Sequence, residues 1–156
     1  LHVVQQSNKV VIKQRVTTDE GDVLEVDPVA VVPAREIVVL QPYGSLFFAS
    51  APVFEAALPR VEAGSGRSVV ILRLRGHTDL GTTFVDVLVR YAGELDAVGS
   101  RLVIVSVDAQ VMPQLRAGGV IDVIGPDSVF EGDARVGAAV ARARAEAEAW
   151  IESEPA

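Results

Sequence analysis

The sequence predicts an α/β fold, with a central mixed sheet of about four to five strands and about four helices. Three short apolar runs carry this prediction, because each has the length and the closing residues of a strand buried on both faces. These runs are residues 36–44, 68–75 and 101–108. Helical patterns separate them, and a strand followed by a crossover helix and a further strand indicates parallel pairing.

The N-terminal end of the chain precedes these runs. Residues 8–16 are rich in β-branched side chains and predict a strand, while the acidic, glycine-containing residues 17–22 predict a turn. Two prolines in residues 23–36 disfavour helix in the residues before them, so we interpret this stretch as an extended linker. The chain is thereby predicted to divide into an N-terminal strand and linker, 1–35, and a main domain, 36–156.

Two helices are predicted after the first and second buried strands. In the first helix, Pro59 predicts a kink or a restart and Gly64 an end. Its apolar face is predicted to contain Val53, Ala56, Ala57 and Val61. The second helix is predicted to begin at Asp79, with an apolar stripe that recurs every 3 to 4 residues. The stripe consists of Leu80, Phe84, Leu88, Tyr91, Leu95 and Val98.

Three more elements are predicted after the third buried strand. Residues 109–119 have the pattern of a short helix that two glycines close. Residues 120–125 form a short apolar run and predict a strand. Residues 128–153 are rich in Ala, Glu and Arg and predict a terminal helix.

The composition excludes several classes of function. The net charge of −7 opposes nucleic acid as a partner, because binding a phosphate backbone requires clustered Lys and Arg. The chain has no cysteine and only two histidines, so thiolate and histidine-rich metal sites are excluded and no cofactor is expected. The sequence contains no run of the about 18 apolar residues that a membrane-spanning helix needs.

A polar loop between the second buried strand and its helix is the candidate site, because α/β folds bind ligands at such strand ends and helix starts. The candidate residues are His77, Thr78, Asp79, Gly81, Thr82 and Thr83. No nucleotide-binding fingerprint is present. Three interpretations are open: Asp79 caps the helix by accepting a hydrogen bond from the N–H of Thr82, His77 with Asp79 supports acid–base chemistry, or a threonine hydroxyl is phosphorylated.

The loop resembles the switch loop of STAS domains, the fold of bacterial anti-sigma factor antagonists and of the cytoplasmic tails of SulP anion transporters. The family loop reads Asp-Ser-Ser-Gly or Asp-x-[Ser/Thr]-Gly, and residues 79–82 read Asp-Leu-Gly-Thr. Asp79 matches the family aspartate. Gly81 stands where anti-sigma antagonists carry a phosphorylated serine, and Thr82 stands at the family glycine, a departure that disfavours a serine switch.

Two further segments resemble SulP transporters. Residues 44–49, Gly-Ser-Leu-Phe-Phe-Ala, match a signature in which a strand end leads into the first helix. Residues 3–14 resemble the stretch that leaves the last membrane helix, and the absence of an initial methionine fits a piece of a longer protein. Residues 46–54 are open to two interpretations, as ordinary core or as an apolar surface for a membrane domain or partner.

The resemblance implies a non-catalytic regulatory or interaction domain of a SulP-type secondary transporter for sulfate, bicarbonate or a related anion. Such a domain would lie at the cytoplasmic face of the cell membrane and act by conformational coupling to the membrane domain of the same transporter. A second copy of the chain, a nucleotide and a regulatory protein are further partners that it implies. The alternative is a free-standing anti-sigma factor antagonist, switched by phosphorylation of a threonine in residues 78–83.

Overall fold

The computed structural model describes residues 9–47 and 51–153, and this part of the chain contains one six-stranded sheet and five α-helices. The strands are β1 Val11–Thr17, β2 Val23–Val26, β3 Ile37–Tyr43, β4 Val69–Arg73, β5 Arg101–Val107 and β6 Val129–Glu131. The helices are α1 Ala51–Ala57, α2 Thr82–Ala97, α3 Met112–Ala117, α4 Val120–Ile124 and α5 Ala138–Glu152. A 3₁₀ turn, Pro126–Ser128, precedes β6.

The strand order in the sheet is β2-β1-β3-β4-β5-β6. β3 to β6 pair in parallel, whereas β1 is antiparallel to both β2 and β3. All five residues of β4 are buried, as expected for the centre of a sheet that is covered on both faces. The predicted mixed α/β fold and its three central strands are therefore confirmed, with one more helix than expected and a sixth strand.

The sheet separates two apolar layers. On one face, α1 to α4 pack on the strands around Phe54, Phe84, Leu72 and Ile104, which are all buried. On the other face, α5 packs alone and covers the sheet from β3 to β6. Its buried residues are Ala139, Ala143, Ala147 and Ile151. Burial of such apolar side chains, at about 25 cal/mol per Å², is the main stabilising contribution to both layers.

Three arginines hold the C-terminal end of α5. Arg67 donates from Nη2 to the carbonyl of Trp150 at 2.7 Å, and Arg35 donates from Nη2 to the carbonyl of Ile151 at 2.9 Å. The guanidinium groups of Arg67 and Arg101 lie 3.9 and 4.0 Å from the centroid of the Trp150 ring. The last carbonyls of a helix have no hydrogen-bond partner within it, and its C-terminus attracts cations. The arginines supply both hydrogen-bond donors and positive charge at this end of α5.

Two predictions about individual elements are wrong. The stretch interpreted as an extended linker contains β2, which pairs with β1 in a hairpin. Residues 120–125 contain the helix α4 and not a strand. Val120 is buried and Ile121 and Ile124 pack against the same core, whereas Asp122 and Val123 are exposed, which is the spacing of a helix face. Left-handed glycines at 119 and 125 bracket this helix. The division into 1–35 and 36–156 stays a prediction.

The two remaining corrections concern helix boundaries. α1 ends at Ala57, before Pro59, and it buries Phe54 where Val53 had been expected to face the core. The terminal helix covers only Ala138–Glu152, since residues 129–131 add β6 to the edge of the sheet. Gly137, in the left-handed conformation with φ 84°, separates the two elements.

Candidate interaction site

The candidate loop lies at the carboxyl edge of the sheet, between β4 and α2. His77 begins it, with its backbone N–H donating to the carbonyl of Leu74 at 3.0 Å. The imidazole Nε2 of His77 lies 2.9 Å from the carbonyl oxygen of Pro42 at the end of the neighbouring strand β3. The side chain is half-buried, and its contact attaches the loop to β3. We therefore interpret His77 as an attachment point of the loop and not as a catalytic base.

Gly81 is fixed against the segment that follows β3. Its N–H donates to the carbonyl of Leu46 at 3.1 Å. A Cβ atom at this position would lie 2.3 Å from the carbonyl oxygen of Phe47, closer than real Cβ contacts allow. The backbone of Gly81 is in the ordinary extended region, with φ −75° and ψ 153°. Close approach of two backbones, and not a left-handed conformation, therefore explains why residue 81 is a glycine.

Gln114 of α3 forms the third attachment of the loop. Its Oε1 accepts a hydrogen bond from the N–H of Leu80 at 2.8 Å. Its Nε2 lies 3.3 Å from Oδ1 of Asp79 and 3.4 Å from the carbonyl oxygen of Gln110, and donates toward both. The side chain of Leu80 points into the core and is 5% exposed. Gln114 thus satisfies a backbone N–H that the fold draws toward the interior.

The predicted cap at Asp79 is wrong. α2 begins at Thr82 and its N-cap is Gly81, which makes no side-chain capping hydrogen bond. Asp79 lies three positions before Thr82, the first residue of α2, and its carboxylate accepts from Nε2 of Gln114 instead.

Of the six predicted site residues, the structure leaves four exposed at the surface: Thr78, Asp79, Thr82 and Thr83. It brings no acid–base pair together around His77, whose Nε2 is held by a backbone carbonyl. Within residues 9–47 and 51–153, no group of three or more His, Asp or Glu side chains is placed to hold a metal ion. In the same residues, no helix is long and apolar enough to cross a membrane.

Two exposed apolar side chains lie in the segment that follows β3. Phe47, whose carbonyl meets Gly81, is 48% exposed, and Val53 at the start of α1 is 51% exposed. Leu46 and Phe54 from the same segment are buried, so both interpretations of residues 46–54 hold in part. The resembling residues 48 and 49, and 3–8 at the N-terminus, lie outside the described residues.

α1 is attached firmly to α2. The rings of Phe54 and Phe84 lie with centroids 4.4 Å apart. Arg90 of α2 forms a salt bridge to Glu55 of α1, with Nη2 and Oε1 2.6 Å apart. The hydrogen bond from Arg90 lowers the pKa of Glu55. Burial raises the pKa of Tyr91, whose hydroxyl donates to the carbonyl of Pro59 at 2.7 Å.

The family model described as STAS domain matches residues 29–137. The chain belongs to the STAS domain family. No curated protein gives a significant match to its sequence. The family assignment confirms the resemblance drawn from the loop, even though residues 81 and 82 depart from the family motif.

Solved structures resemble the STAS domain in fold. One is a sulfate transporter family protein from Wolinella succinogenes, with a TM-score of 0.60 and 24% identity, matched over 79% of this chain and 93% of that one. Another is the murine Slc26a9 anion transporter in its inward-facing state, with a TM-score of 0.62 and 16% identity over 92% of this chain. A second SLC26A9 structure gives a TM-score of 0.59 at 16% identity. This chain covers 24% and 27% of those two SLC26A9 chains.

Sequence reasoning missed Gln114 as a member of the site. It lies 34 residues after Leu80 in the chain, and only the folded sheet brings α3 beside the loop. The available signal was a single polar residue in a short helix, which is too common to distinguish from a solvated position. Leu46 and Phe47 were noted for their side chains, whereas the loop contacts their backbone: the N–H of Gly81 donates to the carbonyl of Leu46, and Gly81 packs against the carbonyl of Phe47.

Replacing Gln114 by alanine should destabilise the STAS domain by about 1–2 kcal/mol, because the partly buried N–H of Leu80 loses its acceptor. The measurement is hydrogen exchange at the Leu80 amide, which should become faster together with a lower urea midpoint. Gln110→Ala is the matched control, since Gln110 is exposed and contributes only backbone atoms to these bonds. Equal exchange at Leu80 in both variants would contradict the assigned role of Gln114.

Proposed function

We propose that this STAS domain is the cytoplasmic regulatory and interaction domain of a SulP-type secondary anion transporter, and that it performs no catalysis. It acts by conformational coupling to the membrane domain of the same protein, at the cytoplasmic face of the membrane. The observation that carries the proposal is a fixed loop beside an exposed apolar side chain: residues 77–83 are attached at three points, and Gly81 packs against the backbone of the exposed Phe47.

A fixed loop suits a permanent contact better than a covalent switch. The serine that is phosphorylated in anti-sigma antagonists is replaced by Gly81, and the space for a side chain at this position is filled by the carbonyl of Phe47. The phosphorylation alternative would have to use Thr78, Thr82 or Thr83, which are exposed. The fold similarity to a sulfate transporter family protein and to an anion transporter supports the transporter proposal over this alternative.

The contact surface that we propose for the membrane domain consists of Phe47, Val53, Asp79, Thr82 and Thr83. Its apolar side chains are about half exposed, which is unusual for a phenylalanine on a free surface. Asp79 and the two threonines provide a polar rim around it, as protein interfaces commonly have. Binding of a nucleotide or of a regulatory protein at this loop is a weaker proposal, because no base-recognition motif accompanies it.

The first test is the coding sequence upstream of Leu1, which should encode about 10 or more apolar spans of about 20 residues each. A reading frame that starts at Leu1 without such spans would overturn the proposal. In the full-length protein, Phe47→Ser should change the rate of anion uptake into proteoliposomes at unchanged protein levels. Val123→Ser is the matched control, since Val123 is 41% exposed on α4, outside the proposed contact surface.

A kinase assay distinguishes the alternative. Incubation with the kinases of the source cell, followed by intact-mass measurement, should leave the mass of the chain unchanged. A gain of one phosphate that disappears in Thr82→Val or Thr83→Val would favour the anti-sigma antagonist function instead.

A further inference from the structure

A group of cationic side chains lies on the sheet face that carries α5, beyond the area that α5 covers. Arg15 on β1 is paired with Val39 on β3, whose side chain packs under α5, so the two side chains share this face. Lys13 is paired in the same way with Gln41. α5 covers β3 to β6, and the charged residues of β1 and β2 extend this face. Within residues 9–47 and 51–153, no helix makes extensive contact with this face of β1 and β2.

Arg73 on β4 is the buried member of this group. Its side chain is on the same face as Ile71, two residues earlier, and the residue is 5% exposed. Its Nη1 donates to the neutral amide oxygen of Gln41 at 2.7 Å, and its Nε is buried without a hydrogen-bond partner. Burial lowers the pKa of Arg73, and the positive charges of Arg15 and Arg75 lower it further.

The nearby carboxylates are engaged by other groups. Glu25 accepts hydrogen bonds from Nε of Arg15 at 3.1 Å and from the hydroxyl of Tyr43. Asp27 pairs with Lys13 at 3.0 Å and is itself almost fully exposed. The carbonyl of Asp133, and not its carboxylate, lies 3.5 Å from Nη1 of Arg75. The group therefore has four cationic side chains, and the carboxylates of Glu25 and Asp27 beside it are already paired. This local excess of positive charge contrasts with the net charge of −7 of the chain.

The negative charge near Arg73 is that of Glu25, which already accepts hydrogen bonds from Arg15 and Tyr43. A buried guanidinium that shares its counter-charge in this way is costly, because the desolvation of its charge is only partly offset. An anion with several oxygen acceptors would supply a further negative charge and a hydrogen-bond partner for Nε. Guanidinium groups are well suited to this ligand, since their planar N–H donors match two oxygens of one anion at a time.

We propose that Arg15, Arg73 and Arg75, which we call the arginine cluster, bind a small tetrahedral oxyanion such as free sulfate or phosphate. Arg73 holds the anion from the interior of the sheet, and Arg15 and Arg75 approach it from the neighbouring positions. The arginine cluster lies on the sheet face that carries α5 and not in the loop of residues 77–83. Anion binding by the cluster is therefore independent of the proposed transporter function.

The test is a titration of the ¹⁵N-labelled 156-residue chain with sodium sulfate, and separately with phosphate, followed through the arginine Nε–H signals in NMR spectra. Sodium chloride at matched ionic strength is the control for screening. The Nε–H signal of Arg73 should shift with saturation in the millimolar range or below for either oxyanion, and should not saturate with chloride. Equal, unsaturated changes with all three salts would overturn the proposal.

Variants localise the response. Arg73→Met should abolish the saturable shift of the Arg15 and Arg75 signals, whereas Arg116→Met, at an exposed position on α3, should leave it unchanged. If Arg73→Met does not fold, Arg15→Gln provides the same comparison from the edge of the cluster and should weaken binding at least about tenfold, as expected when one charge-assisted contact is lost. Retention of full affinity in both variants would also overturn the proposal.

Discussion

Gly81→Ser should destabilise the STAS domain by about 2–4 kcal/mol, although serine is the residue that the family motif has at this position. The new Cβ would lie 2.3 Å from the carbonyl oxygen of Phe47 and 3.1 Å from its carbonyl carbon. Both atoms belong to the backbone, so no side-chain rotation relieves the contact. The loop must move away from residues 46 and 47, and the hydrogen bond from Gly81 to Leu46 is lost with that movement.

The measurement is urea unfolding of Gly81→Ser and Gly81→Ala beside Gly93→Ala. Gly93 is an exposed residue inside α2, and a Cβ atom there meets nothing within 4 Å. Gly93→Ala should therefore stabilise the domain by up to about 1 kcal/mol, because alanine favours helix over glycine. If Gly81→Ser unfolds at the same urea concentration as the original chain, the close approach of the two backbones is not the reason for glycine.

This result bears on the function as well as on stability. In a phosphorylated switch loop, the serine must present its hydroxyl to a kinase and then carry about −1.5 to −2 charges at that position. Position 81 offers no room even for the methyl group of alanine. A Gly81→Ser variant would thus lose stability without gaining a switch, which is the behaviour expected of a permanent contact surface.

The central strands were predictable because their signal is local. The apolar runs that became β3, β4 and β5 are nearly continuous and rich in β-branched residues, as burial on both faces of a sheet requires. α4 could not be predicted in the same way. Four of its five residues are apolar, and so short a run fits a strand or a helix equally. The choice depends on the glycines that bracket it and on the burial of Val120.

The candidate site was predictable in position but not in its contacts. A polar loop after a buried strand indicates the carboxyl edge of a sheet, and the loop is there. The contacts that fix it join residues far apart in the chain: His77 to Pro42, Gly81 to Leu46 and Leu80 to Gln114. Asp79 was assigned as a cap from local spacing alone, whereas its carboxylate contacts Gln114, which is distant in the sequence.

Phe54→Ala should destabilise the domain by about 3–5 kcal/mol, the largest effect that we expect from a single substitution outside the sheet. Phe54 is fully buried, and its ring lies 4.4 Å from the ring of Phe84 on α2. The substitution leaves a cavity between α1 and α2 and removes an aromatic contact worth about 0.5–1.5 kcal/mol. Urea unfolding measures the loss, and the amide signals of Thr82 and Thr83 report whether the start of α2 moves with it.

Val53→Ala is the informative comparison, because the helical spacing of the sequence placed Val53 in the core and the structure exposes 51% of it. Its cost should stay within about 0.5 kcal/mol. Similar losses for Phe54→Ala and Val53→Ala would mean that α1 is rotated about its axis relative to this structure. Such a rotation would also bury Val53 and remove it from the proposed contact surface. A large loss for Phe54 alone fixes the helix orientation, and it leaves Val53 exposed as part of the contact surface that we propose for the membrane domain.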